Sequence, residues 1–332
     1  MAGPFRLEAL PFVTVAVPLR NEAARLPGLL ACLLAQTYPA DRLEVFLIDG
    51  GSHDGTRDLI EAAVAAHPHF HALENPRQLP AAALNLALTR ARGEVFLRLD
   101  ARTRPAADYI ARCVAALQAG AWAGVAGPQT AVGQTPAAQA HALALNHPLG
   151  TGFAAYRRTT RPRPSETLYL GAYRTDWLRR VGGWDASLAA TEDYELNLRI
   201  RHQGGRLLVD PTIRSTYLAR ASLRELAGQY YRYGAWRTVI RRRHRDAMVG
   251  RHGIPALFFP VLLLALLLTP LTVWPLLMVG APYAGAVLAV SLALGRRHGL
   301  RYVPRLLLTF PTLHLAYGAG FWSAWLRPPR AG

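Results

Sequence analysis

Four short segments concentrate the side chains able to do chemistry: Pro18-Leu19-Arg20-Asn21-Glu22, the stretch Asp49 to Thr56 (DGGSHDGT), Asp100-Ala101-Arg102, and Thr191-Glu192-Asp193-Tyr194-Glu195. Carboxylates in such settings accept hydrogen bonds from a base or ribose, hold a divalent cation, or take a proton from a hydroxyl. Other chemistries are excluded or weakened. The chain has no Lys, so no Walker-type phosphate loop is possible, and no G-x-G-x-x-G follows the first strand. Cys32 and Cys113 lack C-x-x-C spacing, which supports neither a thiol-redox nor a zinc site. What remains suits a nucleoside diphosphate attached to something else.

The elements that must position these segments are legible from Phe12 onward. Short aliphatic runs alternate with longer amphipathic ones, the pattern of a mostly parallel sheet with helices on both faces. The runs predict strands at 13–17, 44–48, 70–73, 95–99 and 125–126, and helices near 22–35, 55–66, 80–91 and 105–119. Three acidic segments then directly follow strands, where open α/β sheets bind ligands. Residues 128–167 are the least regular, and Arg157, Arg158, Arg161 and Arg163 read as a mobile basic loop. Glu192 and Asp193 fall in the first turn of a helix ending near Gly204-Gly205, where acids also complement the helix dipole. Glu195 is spaced to pair with Arg199.

Charge divides the 332 residues sharply. The formal net charge is +17, yet no carboxylate follows Asp246. Between Arg251 and Arg296 lie 44 residues without Arg, Asp or Glu, enough for two membrane spans. Pro270, Pro275, Pro282 and Gly280 sit where a tight hairpin would join them, and Leu306–Leu326 reads as a third span. The expected organisation is therefore a 1–250 domain and a 251–332 membrane domain. Arg241, Arg242, Arg243 and Arg245 before the first span, with Arg296, Arg297, Arg301 and Arg305 before the third, put both flanks and the large domain in the cytoplasm. MAGPFRLEALPF shows no secretory signal pattern. Nine arginines between 220 and 251 form a basic collar suited to anionic lipid headgroups. Nucleic acid is not an expected partner, since the basic residues adjoin apolar spans and no reading motif is present.

In order and spacing, VPLRNE, LIDGGSHDGT, RLDART, ATEDYELNLRIRHQGG and QYYRYGAWR resemble the family 2 glycosyltransferases, especially membrane-anchored bacterial members of the succinoglycan and exopolysaccharide type. The resemblance covers about residues 12–245, and HLAYGAG at 314–320 looks like the family's tail. It implies a GT-A fold, Rossmann-like, followed by transmembrane helices in a bacterial inner membrane. It implies an inverting hexosyl transfer from a nucleotide sugar, UDP-linked, to a polyprenyl-diphosphate-linked glycan at the cytoplasmic face.

Residue by residue, the resemblance places Pro18, Glu22, Asp49 and Asp54 around the donor nucleotide, with Asp49 accepting from the base. Asp100 would hold a divalent ion, Mg or Mn, on the diphosphate. Where the family has a second acid or a His two positions on, this chain has Arg102; either Asp100 acts with less help or Arg102 touches phosphate directly. Asp193 matches the family's base, beside Glu192. Trp184 and Asp185 resemble the acceptor side, Trp184 as a sugar-stacking face or as a core anchor. Gln229, Arg232 and Tyr233 fall where processive members carry Q-x-x-R-W, and the Tyr favours single addition. A polyprenyl-monophosphate sugar transferase and a non-catalytic membrane scaffold with a nucleotide-binding fold are the competing readings.

Overall fold

The computed structural model describes residues 7–152, 154–244, 246–247, 250–327 and 329. Arg245 of the basic cluster and most of the first few residues searched for a signal lie outside these, as does the side chain of Arg251. In chain order the elements are β1 (Val13–Leu19), α1 (Leu26–Leu34), β2 (Leu43–Asp49), α2 (Thr56–Ala66), β3 (Phe70–Glu74), α3 (Pro80–Arg90), β4 (Val95–Arg98), β5 (Thr103–Pro105), α4 (Tyr109–Gln118), β6 (Gly124–Ala126), β7 (Gln129–Val132) and α5 (Pro136–Asn146). There follow α6 (Pro148–Thr151), α7 (Ala155–Arg158), β8 (Arg163–Pro164), β9 (Ala172–Arg174), α8 (Thr175–Arg180), α9 (Glu192–His202), β10 (Leu207–Val209), β11 (Ser215–Leu218), α10 (Leu223–Arg243), α11 (Gly250–Leu267), α12 (Trp274–His298) and α13 (Val303–Leu326).

The chain divides into two compact units, one comprising residues up to Thr130 with Ala155–Tyr217, the other Ala131–Ala154 with the chain from Leu218. The expected division at residue 250 follows hydropathy, whereas these units follow packing.

The first unit is built on an eight-stranded sheet in the order β3-β2-β1-β4-β9-β6-β10-β8. Of the five strands read from the sequence, the first four form a parallel set, with Val13 opposite Leu43 and Val95, and the fifth, at 125–126, is β6, parallel to β10. Beyond them the sheet is mixed rather than mostly parallel: β9 is antiparallel to β4 and β6, and β8 is antiparallel to β10. A separate antiparallel pair joins β5 to β11.

Burial on both faces explains why β1, β2 and β4 are mainly apolar. Val13, Val15, Val17 and Leu19 pack with Leu26, Leu29, Ile60, Tyr109 and Cys113 on one face. Ala16, Phe46 and Ile48 pack with Leu84, Trp184 and Leu196 on the other. Helix α1 begins at Leu26, four residues later than expected, because Glu22 to Arg25 form a turn in which the Arg25 and Leu26 amides donate to the Glu22 carbonyl. Pro27 then suits the helix's first turn. The expected basic loop contains α7 and the edge strand β8.

The second unit is helical. Helix α5, which the sequence pattern did not reveal, starts at Thr135, whose hydroxyl accepts from the Ala138 amide. Helices α10 and α13 pack so closely that a Cβ on Gly234 would stand 2.0 Å from the Tyr317 carbonyl oxygen, and one on Gly320 2.0 Å from that of Tyr231. Such small-residue seams are typical of helices packed within membranes. Helix α12 alone among the described residues is long and apolar enough to cross a membrane, with mean hydropathy 1.9, while the apolar stretch His252–Leu267 is shorter. The hairpin turn lies at 268–273 and holds Pro270; Pro275 opens α12, and Gly280 and Pro282 lie inside it. The segment read as a third span belongs to α13, which buries Leu306, Phe310, Leu313 and Phe321 within its unit.

Candidate active site

Strand β2 ends at Asp49, whose two carboxylate oxygens accept from the Ser52 amide at 3.2 Å, and Oδ1 also from the Ser52 hydroxyl at 2.6 Å. The turn after β1 is stitched to this loop. Asn21, at φ 53°, donates its amide to Ser52 Oγ and accepts from the His53 amide, both at 2.9 Å, and the Glu22 amide donates to Thr56 Oγ1. Asp54 accepts from the Ala23 and Thr56 amides and from the Thr56 hydroxyl. That last bond holds its carboxyl below the usual carboxylate range, although the group is exposed. Asp54 therefore braces the loop with both oxygens. Pro18 ends the same strand edge, half-buried and opposite Ile48.

Glu22 is committed to arginines: Oε2 pairs with Arg25 at 2.8 Å, and Oε1 stands 3.9 Å from Arg102 Nε. The residue that departs from the family pattern is thereby brought beside the β1 turn. Its neighbour Asp100 keeps a side chain 35 % exposed and pairs through Oδ1 with Arg98 Nε at 3.0 Å.

Arg98 is the feature the motif reading missed. It is the last residue of β4, buried, and its Nη1 lies 2.7 Å from both Glu192 Oε1 and Asp193 Oδ1. One guanidinium thus gathers three carboxylates from two distant segments. Burial works against its charge, but Asp100, Asp193 and Glu192 outweigh burial and keep it protonated. The available signal was an Arg inside the otherwise apolar run VFLRL, since a buried charge demands partners.

Glu192 and Asp193 open α9, with Thr191 at φ 60° before them and its buried hydroxyl without a hydrogen-bond partner. That conformation is an outlier for a β-branched residue, and strain of this kind collects at functional sites. Asp193 is pushed up to about 6: burial and Glu192 raise it more than Arg98 and the Trp184 hydrogen bond lower it. The Glu195–Arg199 pair forms as the spacing predicts, with Nε to Oε1 at 2.7 Å, and Arg199 also donates to the Gly183 carbonyl.

Trp184 is a core anchor, not a sugar-stacking face. It is 2 % exposed, packs on Phe96 and edge-on to Tyr173, and its indole N–H donates to Asp193 Oδ1 at 2.9 Å. Gly183, at φ 71°, aims it; a Cβ there would meet Asn85 Oδ1 at 2.4 Å. Asp185 accepts through Oδ1 from the Ser187 amide and hydroxyl. Gln229, Arg232 and Tyr233 lie on α10 in the second unit, where Arg220 donates to Gln229 and Gln229 to the Tyr233 hydroxyl.

Among the described residues no three His, Cys, Asp or Glu side chains form a metal-binding group. Asp100 supplies one exposed carboxylate, and Mg or Mn is commonly held by one or two carboxylates with substrate phosphates. The residues fit an ion carried mainly by a diphosphate.

A mixed α/β sheet with acids at its carboxyl edge is an architecture shared by many enzymes, and comparison with known proteins narrows it to transferases. The profile of glycosyl transferase family 2 matches residues 14–182. The succinoglycan biosynthesis protein ExoA of Rhizobium meliloti is 32 % identical over 314 residues, 93 % of each chain. A dolichyl N-acetyl-alpha-D-glucosaminyl phosphate 3-beta-D-2,3-diacetamido-2,3-dideoxy-beta-D-glucuronosyltransferase of Methanococcus voltae is 25 % identical over 79 % of this chain and 83 % of its own. Among solved structures, the mannosyltransferase PcManGT from Pyrobaculum calidifontis, in complex with GDP-mannose and Mn²⁺, is 25 % identical with a TM-score of 0.61, over 97 % of this chain and 88 % of that one. The chain belongs to the family 2 glycosyltransferases, and its sheet has the GT-A architecture.

Proposed function

We propose that this glycosyltransferase moves a hexose with inversion from a nucleotide sugar, UDP-linked in our reading, to a polyprenyl-diphosphate-linked glycan at the cytoplasmic face of a bacterial membrane, in exopolysaccharide synthesis. The observation that carries the reading is the convergence of Asp100, Glu192 and Asp193 on Arg98, which brings a donor-side acid and a base into one cluster. Asp49 accepts from the base, with Pro18 and the braced 49–56 loop beside it. Asp193 removes the acceptor hydroxyl proton, and its raised pKa suits a base working near neutral pH. Arg102 is assigned to the diphosphate or acceptor, through bidentate hydrogen bonds.

Bound at Asp100, a divalent ion would offset the charge that develops on the departing diphosphate. The membrane assignment is supported by α12 and by exposed apolar side chains on α11 and α12, among them Leu257, Leu264 and Met278. We assign α11, α12 and α13 to the membrane domain, with the basic collar at the headgroups.

The test is thermal stabilisation of the detergent-purified protein by UDP, GDP, dTDP and CMP, each with EDTA, Mg²⁺ or Mn²⁺. Selective stabilisation by UDP with metal, lost in Asp49→Ala, is expected. Selective stabilisation by GDP would replace the donor, stabilisation without metal would assign the phosphates to arginine, and no stabilisation by any nucleotide would overturn the reading.

A further inference from the structure

Two donors from different elements converge on a single oxygen of Asp193. Arg98 Nη1 approaches Oδ1 at 2.7 Å and Trp184 Nε1 at 2.9 Å, while Oδ2 accepts no hydrogen bond from any described residue. Both donors are themselves immobilised. Arg98 is pinned by Asp100 and Glu192. Trp184 is clamped by Asn85, which accepts from its amide at 2.8 Å and donates to its carbonyl at 2.7 Å. The two acids differ in access: the Glu192 side chain is 8 % exposed and that of Asp193 23 %.

We propose that Arg98 and Trp184 are positioning residues that lock Asp193 through Oδ1 and so assign the acceptor's proton to Oδ2, with Glu192 acting only as a sealed counter-charge to Arg98. A carboxylate oxygen that already receives a cationic and a neutral donor is the less basic of the two, so protonation falls on the other. In the transfer step, which rests on the reading of Asp193 as base, the acceptor O–H proton passes to Oδ2. The acceptor oxygen bonds to the anomeric carbon as that carbon's bond to the diphosphate breaks, and the electron pair leaves with the nucleoside diphosphate. The locked geometry keeps Oδ2 directed at the acceptor without any induced rearrangement.

The groups that bear on Asp193 are Arg98 at the end of β4, Asp100 just beyond it, Glu192 on α9, Tyr173 on β9 and the Trp184 indole. Removing a donor that favours the ionised form must raise the pKa of Asp193, whereas removing a merely structural contact need not. The test is an infrared difference titration of the full-length protein, following the carboxylic-acid carbonyl band that the wild type shows and Asp193→Asn lacks. In Trp184→Phe, which keeps the packing and deletes the N–H, the midpoint should move up by about one pH unit, the equivalent of one hydrogen bond. Arg98→Lys, whose ammonium cannot serve all three acids at once, should move it the same way. An unchanged or lowered midpoint in both variants would overturn the clamp. In turnover assays Trp184→Phe should lower kcat roughly tenfold with the KM for nucleotide sugar unchanged, and an equal rise in KM with kcat preserved would overturn it as well. If the wild type turns over no nucleotide sugar, the transferase reading of the site falls, while the infrared midpoints still decide the clamp.

Discussion

Two groups of acids sit at the sheet edge, and they are held in opposite ways. Asp49 and Asp54 are satisfied almost locally, by Ser52 and Thr56 within three residues and by the turn at Asn21 to Ala23. Asp100, Glu192 and Asp193 depend on one guanidinium, across 94 and 95 residues of chain for the last two. The first arrangement tolerates loss of any one charge, because backbone amides and hydroxyls share the work. The second concentrates like charges around one buried guanidinium, and removing it takes away the cation that they share. A local loop motif thus builds a robust cradle, while the acid cluster is gathered by one arginine.

The sharpest way to break this contrast is Asp193→Asn, expected to lower kcat by about 10³-fold with nucleotide affinity intact, read by turnover and by calorimetric titration. Arg98→Met should destabilise the fold by about 3 kcal/mol or more in chemical denaturation, and adding Glu192→Gln should return part of that loss. Asp49→Ala should weaken nucleotide binding about tenfold, the worth of one or two hydrogen bonds, while the melting temperature stays near wild type. The pH profile gives a subtler contrast. As the proposed base, Asp193 would act only when ionised, and its pKa is raised, so turnover should halve as pH falls through about 6, higher than an ordinary carboxylate would require. Smallest of all should be Asp54→Asn, which keeps a carbonyl acceptor for the Thr56 hydroxyl and should change melting and affinity only slightly.

The parallel half of the sheet was legible because its strands are aliphatic runs, buried on both faces in β1, β2 and β4; the runs at 13–17, 44–48, 70–73 and 95–99 became β1 to β4. The mixed half was legible only at β6, the run at 125–126. Strand β9 is Ala172–Arg174 and β8 two residues, too short to show a period, and their place in the sheet is set by pairing with β4, β6 and β10. Helix α5 escaped because PAAQAHALALN lacks a polar stripe. At the site, the resemblance to the family pointed to Asp49, Asp100 and Asp193, but only packing could show that Trp184 faces inward onto Asp193, that Asp54 braces its own loop, and that Arg98 joins the acids.

The division of the chain also bears on the order in which it can be made. Helix α5 belongs with α13, where Arg305 Nε donates to His141 Nε2 and Leu313 lies against Gly150, yet more than a hundred residues separate them. At ordinary translation rates α5 emerges on the order of ten seconds before its partner. During that interval its buried face, including Leu143 and Leu145, lacks the α13 partner of its unit. The ribosome-bound chain therefore carries an apolar segment in waiting, a natural point for chaperone capture or early contact with the lipid surface.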